Sequence, residues 1–298
     1  MQRVFVTGAT GFVGRAVVHA LRADGYAVRC LVRRGSELDL QGLGAIERVE
    51  GDVLVRRGLE EDIAGCQSVV HLVGIIRESP GRGVTFENVH VQGTRNVLDA
   101  AVAAGVRRFL HMSALGVRPG ARARYHRTKW QAEEAVRGSG LTWTIFRPSI
   151  IYGRGDGFVT MLARMVRRLP VVPVIGSGRN LLQPVPVERV AEGFARALAR
   201  ATAEKQVYDV AGPDRVSMVE LLDLIGAALG RGHVRTVSVP LSLMRPLARA
   251  LHVFPGFPVT PDQLTMLEED NVGDPATFYQ HLGLEPVPLR RGIERLLA

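Results

Sequence analysis

Eleven residues near the start of the chain constrain it most: Val4-Phe5-Val6-Thr7-Gly8-Ala9-Thr10-Gly11-Phe12-Val13-Gly14. Three β-formers lead into Gly8. Phe12, Val13, Ala16, Val17 and Leu21 then recur at helical spacing as far as Ala23. The pattern predicts a strand, a tight turn and a helix start. Gly8 and Gly11 permit the turn and let backbone N–H groups approach a phosphate. Gly14 permits close packing of helix on strand, and the helix N-terminus adds partial positive charge for a pyrophosphate. With 33 glycines in the chain a bare triplet says little. Its place after a strand and before an amphipathic helix is what gives it weight.

The same alternation continues. Strands are expected at Ala27–Val32, Ile46–Glu50, Ser68–Val73, Arg107–Met112 and Thr142–Phe146, with helices at Phe86–Ala104 and Tyr125–Val136. Strands alternating with helices imply crossover connections and a doubly wound parallel α/β sheet, whose ligands bind at the carboxyl ends of the strands. Gly8, Arg33, Asp52, Gly74 and Ser113 all fall at such ends. Arg33 lies 19 residues after Gly14, where a ribose-binding carboxylate would stand in an NAD site, and no carboxylate appears until Glu37. Arginines at 33 and 34 suit a 2′-phosphate, which favours NADP, with NAD the alternative; two exposed loop arginines would look the same. Asp52 could accept from an adenine amine or cap a helix. Gly74 would let a cofactor lie across the strand end, and His71 reads as a satisfied core histidine.

Beyond Tyr152 the rhythm changes. Helices are expected at Phe158–Arg168 and Val187–Ala199, a strand at Gln206–Val210 that could extend the main sheet, and another at Val234–Val239. The expected division is a dinucleotide-binding domain over 1–153 with 184–211 returning to it, and a smaller C-terminal substrate-side lobe from 154–183 and 212–298. Leu241–Phe254 is apolar on one side with Arg245 and Arg249 on the other. It reads as a core-packed helix or a membrane-surface segment, interrupted by Pro246.

The 298 residues are 46% hydrophobic, enough for a sizeable core. Cys30 and Cys66 give neither metal spacing nor a disulfide framework, so buried thiols in a reducing compartment are expected. The first strand begins almost at Met1, and no apolar run is long enough for a bilayer, which points to the cytoplasm. The net charge is +9, almost all of it arginine, with lysine only at 129 and 205. The arginines are scattered and no nucleic-acid motif appears. A solvated surface, an anionic cofactor or an anionic membrane explains the charge better than nucleic acid does.

Tyr125-His126-Arg127-Thr128-Lys129 sets a phenol and an ammonium at i and i+4 on one helix face. Free tyrosine, with a pKa near 10, is a poor proton shuttle at neutral pH, and a nearby ammonium favours the phenolate. The pair is therefore a candidate acid/base couple for moving a proton while hydride moves. A surface helix pair is the plain alternative.

The stretches Thr7 to Gly14, Gly51-Asp52-Val53, Gly93-Thr94-Arg95-Asn96-Val97-Leu98, Tyr125-x-x-x-Lys129 and Arg147-Pro148-Ser149-Ile150-Ile151-Tyr152-Gly153 resemble the extended short-chain dehydrogenase/reductase superfamily. Tyr125-x-Arg127-x-Lys129-Trp130-x-Ala132-Glu133, with Asp270-Asn271-Val272, is similar to the atypical group that includes the nucleotide-binding accessory subunit of respiratory complex I. The resemblance implies a Rossmann fold, with Tyr125 as acid/base and Ser113 at the position of the family's strand-end serine. The interval from Ser113 to Tyr125 is shorter than the family's, and Met112 stands where a second serine is usual. The implied catalytic set is Tyr125, Lys129 and Ser113. The implied cofactor set is Gly8, Thr10, Gly11, Phe12, Val13, Gly14, Arg33, Arg34, Asp52, Val53, Gly74, Lys129 and Arg147, with no metal. Two functions follow as expectations. One is an NADP-dependent oxidoreductase on a carbonyl or alcohol, or its epimerase/dehydratase variant. The other is a non-catalytic NADPH-holding protein of a respiratory or quinone-related membrane complex, at the inner face of the membrane.

Overall fold

Seven parallel strands form the main sheet, and their order fixes where a ligand can sit. The computed structural model describes residues 2–36, 42–251 and 259–298. Glu37 and the end of the Leu241–Phe254 stretch lie outside them. The strands are β1 (Arg3–Thr7), β2 (Ala27–Val32), β3 (Glu47–Glu50), β4 (Ser68–His71), β5 (Arg108–Met112), β6 (Thr142–Pro148) and an edge strand Gln206–Val210. Their order is edge strand, β6, β5, β4, β1, β2, β3. The chain runs outward in one direction from β1 and in the other from β4. The topological switch therefore falls between β1 and β4, where open α/β sheets bind their ligands. Val4 pairs with Val28 on one side and Ser68 on the other, so β1 is central and its Val4, Phe5 and Val6 are fully buried.

Helix α1 (Phe12–Ala23) follows the glycine turn and packs against the helix Val187–Ala199. A short α2 (Leu59–Ile63) and α3 (Gly93–Ala103) cover a core of Phe5, Val69, Val97, Phe109 and Ile145. One long helix is expected over Phe86–Ala104; the structure instead begins it with a wide i→i+5 turn, Glu87–Gln92, which passes into α3. Helix α4 (Arg124–Gly138) carries Tyr125 and Lys129.

The chain divides into two compact units. The first holds Met1–Pro148, Val187–Val210 and Ala276–Glu285. The last of these segments is assigned to the smaller lobe by composition. It belongs instead with the sheet because Phe278 is buried against Phe146 and Tyr208 and sits beside Gly193, where an added Cβ would lie 2.6 Å from its ring. The second unit holds Ser149–Pro186, Ala211–Pro275 and Pro286–Ala298, around a core that includes Val159, Leu162, Leu221, Ile225, Leu289 and Ile293. Its helix Leu241–Leu251 buries Met244 and Ala248 and continues through Pro246. Among the described residues, no helix is long and apolar enough to cross a membrane. Cys30 and Cys66 are both free and buried, and burial pushes the Cys30 thiol up to about 12.

Candidate functional site

The glycine turn is built as its residues require. Gly8 has φ +76, a left-handed conformation that side chains resist, and an added Cβ would meet the Leu72 carbonyl carbon at 3.1 Å and the Val73 nitrogen at 3.2 Å. The turn thus lies directly against the end of β4. A Cβ at Gly14 would fall 2.0 Å from the Gly8 carbonyl oxygen, so only glycine lets α1 start this close to β1. Gly11 is exposed at the head of α1, no side chain caps the helix, and its first turn holds no acidic residue. Those N–H groups and the helix dipole suit a pyrophosphate, and the closeness of backbone to backbone is the cradle a dinucleotide needs. Thr10, Phe12 and Val13 flank the turn, half-buried.

The path continues to α4. A Cβ on Gly74 would lie 3.0 Å from Lys129 Nζ. Lys129 is only 2% exposed, and its Nζ donates to the Met112 carbonyl at 2.9 Å and the Val73 carbonyl at 3.4 Å. Gly8, Gly74 and Lys129 therefore gather at one end of the sheet, around the switch point. On the other side of Gly74, the Ile75 N–H lies 3.1 Å from His90 Nε2. His90 Nδ1 lies 2.9 Å from Thr128 Oγ1. Thr128 Oγ1 in turn sits 3.1 Å from the carbonyls of Arg124 and Tyr125. His90 Nε2 also lies 3.1 Å from the Ile75 carbonyl, so the ring meets Ile75 and Thr128 in either neutral tautomer: Nδ1–H donating to Thr128 with Nε2 accepting from the Ile75 N–H, or Nε2–H donating to the Ile75 carbonyl with Nδ1 accepting from Thr128. The backbone around Gly74 is thus held by Lys129 from one side and by His90 from the other. His90 reaches this position from the wide turn that begins α3, an irregularity often found at functional sites.

Tyr125 is half-buried, with Phe86, His90 and His126 edge-on to its ring at centroid distances of 5.9, 5.3 and 5.4 Å. Burial pushes its phenol up to about 12. The sequence leads one to expect the opposite direction, with the ammonium drawing the phenol toward neutrality. Here Lys129 instead meets two backbone carbonyls, and burial lowers its own pKa to about 8, against a smaller opposing pull from Glu133. Burial is what sets the direction for Tyr125, and its phenol is held protonated at neutral pH.

Ser113 is placed differently from the family's expectation. Its hydroxyl donates to Glu133 Oε1 at 2.5 Å, inside the protein. Glu133 is 0% exposed and also accepts from Arg137 at 2.6 Å and from two Arg147 nitrogens at 2.8 and 2.7 Å. Both guanidiniums lie over Trp130, at 5.0 and 5.9 Å. Ser113 and Arg147 thus bind a buried carboxylate that joins β5, α4 and β6. In the sequence Glu133 enters only as part of the resemblance and is given no role there, although Tyr125, Lys129 and Glu133 form an i, i+4, i+8 stripe that points to one.

Arg33 and Arg34 are exposed just past β2. Asp52 follows β3 and closes a local turn, its Oδ1 accepting the Leu54 N–H at 2.9 Å; the following helix begins after Gly58, so Asp52 does not cap it. Val53 is buried, and its carbonyl accepts from Asn96. His71 bridges Thr7 at 2.7 Å and Thr94 at 3.1 Å, and it stacks on His111 at 5.5 Å. Neither ring nitrogen of buried His111 has a hydrogen-bond partner among the described residues.

A protein-family model described as NAD(P)H-binding matches residues 8–164, more than half of the chain. The chain belongs to this NAD(P)H-binding family of short-chain dehydrogenase/reductases. A second model, described as RmlD substrate binding domain, matches residues 87–252. Among relatives of this family member, the rat NADH dehydrogenase (ubiquinone) 1 alpha subcomplex subunit 9, mitochondrial, is 31% identical over 95% of this chain and 76% of its own length. A ceramide reductase of Caulobacter vibrioides is 37% identical over 58% of this chain, and the match spans about half (53%) of its length. A 4-hydroxy-2-methyl-3-oxo-4-farnesyl-3,4-dihydroquinoline-1-oxide ketoreductase of Stigmatella aurantiaca is 32% identical over 75% of this chain and 72% of its own. The fold is shared with the UDP-glucose 4-epimerase of Thermotoga maritima, at TM-score 0.77 and 20% identity over 99% and 97% of the two chains.

Proposed function

We propose that this protein is an NADPH-dependent oxidoreductase that reduces a carbonyl group on a lipophilic small molecule, with Tyr125 delivering the proton. The observation that carries this reading is the buried Lys129 Nζ at the carboxyl ends of β4 and β5, beside Gly74 and on the helix that bears Tyr125. The residues that would hold the dinucleotide are those of the turn (Gly8, Thr10, Gly11, Phe12, Val13, Gly14), Arg33 and Arg34 past β2, Asp52 and Val53 past β3, and Gly74 with Lys129. When bound, the dinucleotide supplies a hydride. The two arginines, with no carboxylate between them and Gly14's helix other than Asp24, favour a 2′-phosphate over a bare ribose hydroxyl. Two of the three Lys129 donors are engaged by backbone carbonyls, leaving one for a ribose hydroxyl or the phenol oxygen. Tyr125, held protonated, suits reduction, in which the substrate oxygen must gain a proton. Two relatives named for reductases of a ceramide and of a farnesyl-bearing dihydroquinoline oxide support an apolar substrate.

A second reading is a nucleotide-holding component of a respiratory membrane complex, at the inner face of the membrane. It is favoured by the engagement of Ser113 by Glu133, which takes the family's substrate-facing hydroxyl out of use, and by the likeness to complex I subunits along nearly the whole chain.

The test is a panel of carbonyl substrates with NADPH and NADH side by side, following nicotinamide absorbance. Tyr125→Phe is expected to lower turnover at least ~100-fold while NADPH affinity stays within about twofold. Equal hydride transfer by this variant would remove Tyr125 from the reaction. NADPH binding with no turnover of any substrate would favour the second reading. Arg33→Ala with Arg34→Ala is expected to lower the NADPH/NADH affinity ratio roughly tenfold, the loss of one charged contact; an unchanged ratio would refute the arginines' role.

A further inference from the structure

In the second unit, the strands Val172–Ile175 and Thr236–Val239 pair in parallel, with Val237 opposite Pro173. Val172 and Val174 point into the core, 1% and 5% exposed. Val171 and Pro173 therefore face outward, and Arg235 and Val237 share their side of the ladder. This outer face is apolar: Val171 is 41% exposed and Val237 51%. Leu169, just before it in the chain, is 38% exposed and follows directly on Arg167 and Arg168.

Those two arginines are not needed to finish the helix they end. The terminal carbonyls of Val166 and Arg167 already accept from Arg231, each at 2.6 Å. The surrounding sequence is one-sided in charge. From Gly157 to Gln183 there are four arginines and no carboxylate; from Leu224 to Pro261 there are four more and again none. These two segments supply the two strands of the ribbon. Arg245 finds a carboxylate only outside them, at Glu268.

We infer that this ribbon face docks the protein on an anionic lipid surface. The inference is independent of whether the first unit catalyses a reaction. Protein partners are recognised through mixed signs and shaped pockets. A pleated face that offers only aliphatic side chains and guanidiniums fits a headgroup boundary better. There the valines and leucine enter the acyl edge, and Arg167, Arg168 and Arg235 bind lipid phosphates bidentately while their stems lie along the apolar layer.

The experiment is sedimentation of the full chain with vesicles of phosphatidylcholine alone, or with one third phosphatidylglycerol, at low and high salt. Partitioning is expected to be at least tenfold stronger on the anionic vesicles and to weaken with salt. Arg167→Gln with Arg168→Gln is expected to weaken it roughly 30-fold, a factor of about five for each arginine lost near the surface. Val171→Ser with Val237→Ser is expected to weaken it as well, with an unchanged circular-dichroism spectrum and thermal unfolding of the full chain as the check on folding. Arg107→Gln, an exposed arginine of the first unit, is expected to change nothing. Equal binding to neutral vesicles, no binding to either kind, or retention on polyglutamate beads without vesicle binding would each overturn the inference, the last in favour of an acidic protein partner.

Discussion

Lys129 buries an ammonium whose direct partners are two backbone carbonyls. Burial lowers its pKa from 10.5 to about 8. The sign of the consequence follows from proton counting. Between pH 8 and 10.5 the unfolded chain still holds this proton while the folded chain has released it, so stability rises with pH across that window. Below pH 8 the folded protein carries the full cost of the buried charge. Lys129→Met, similar in length and uncharged, is therefore expected to raise stability at pH 7, by up to about 3 kcal/mol. The gain should vanish by pH 10.5, and the same variant should lose turnover. Denaturant unfolding at the two pH values checks it; a variant less stable at pH 7 would refute it. The Tyr125–Lys129 spacing was fully legible in the sequence, because it depends only on helical periodicity. The direction of the Tyr125 pKa was not, because it depends on the rings of Phe86 and His90 arriving from another segment.

At the scale of elements, α4 is held at two levels. Near its start, Thr128 meets His90 from the wide turn before α3. Near its end, Glu133 gathers Ser113 from the end of β5 and Arg147 from β6. The second tie is a buried charge cluster, which contributes little net stability when intact and costs much when one partner is removed. Ser113→Ala is expected to cost about 1.5–3 kcal/mol, the value of a hydrogen bond to a charged group, and to leave KM for any substrate unchanged. Glu133→Gln, which leaves Arg147 uncompensated, is expected to cost about 3–5 kcal/mol. Thermal unfolding and initial rates separate the outcomes: a large rise in KM for Ser113→Ala would return that hydroxyl to the substrate. The strands and most helices were readable from apolar periodicity. The wide turn was not, because Val89 reads as the start of the apolar side that Val97, Leu98, Ala101 and Val102 continue, and the tertiary contacts of His90 appear only in three dimensions.

For the molecule as a whole, three histidines buried in and beside the sheet set its response to acid. Burial lowers His71 to about 3 and His90 to about 2, and holds His111 well below 6.5. As pH falls below 6.5, the unfolded chain takes up three protons that the folded chain refuses, so stability falls, by as much as about 4 kcal/mol per pH unit. Acid unfolding should therefore begin near pH 6 and be steep. His111→Phe, which removes two unpartnered nitrogens, should shift the midpoint to lower pH and raise neutral stability by about 1–3 kcal/mol. Circular dichroism against pH checks both, and an unmoved midpoint would refute the account. The parallel sheet and its site end could be seen in the sequence because strands alternate with helices and several strands run into Gly, Asp or Pro, at Gly8, Gly51-Asp52, Gly74 and Pro148. The return of Ala276–Glu285 could not, because Phe278 finds its neighbours only in three dimensions.

That return has a practical outcome. The backbone changes units five times, and four of the five junctions adjoin a proline: Pro148, Pro186, Pro275 and Pro286. Any attempt to express the nucleotide-binding half by stopping after Val210 would leave a hole at the edge of its sheet where one aromatic ring belongs. A workable excision would need the ten residues from Ala276 to Glu285 spliced back on as a plug.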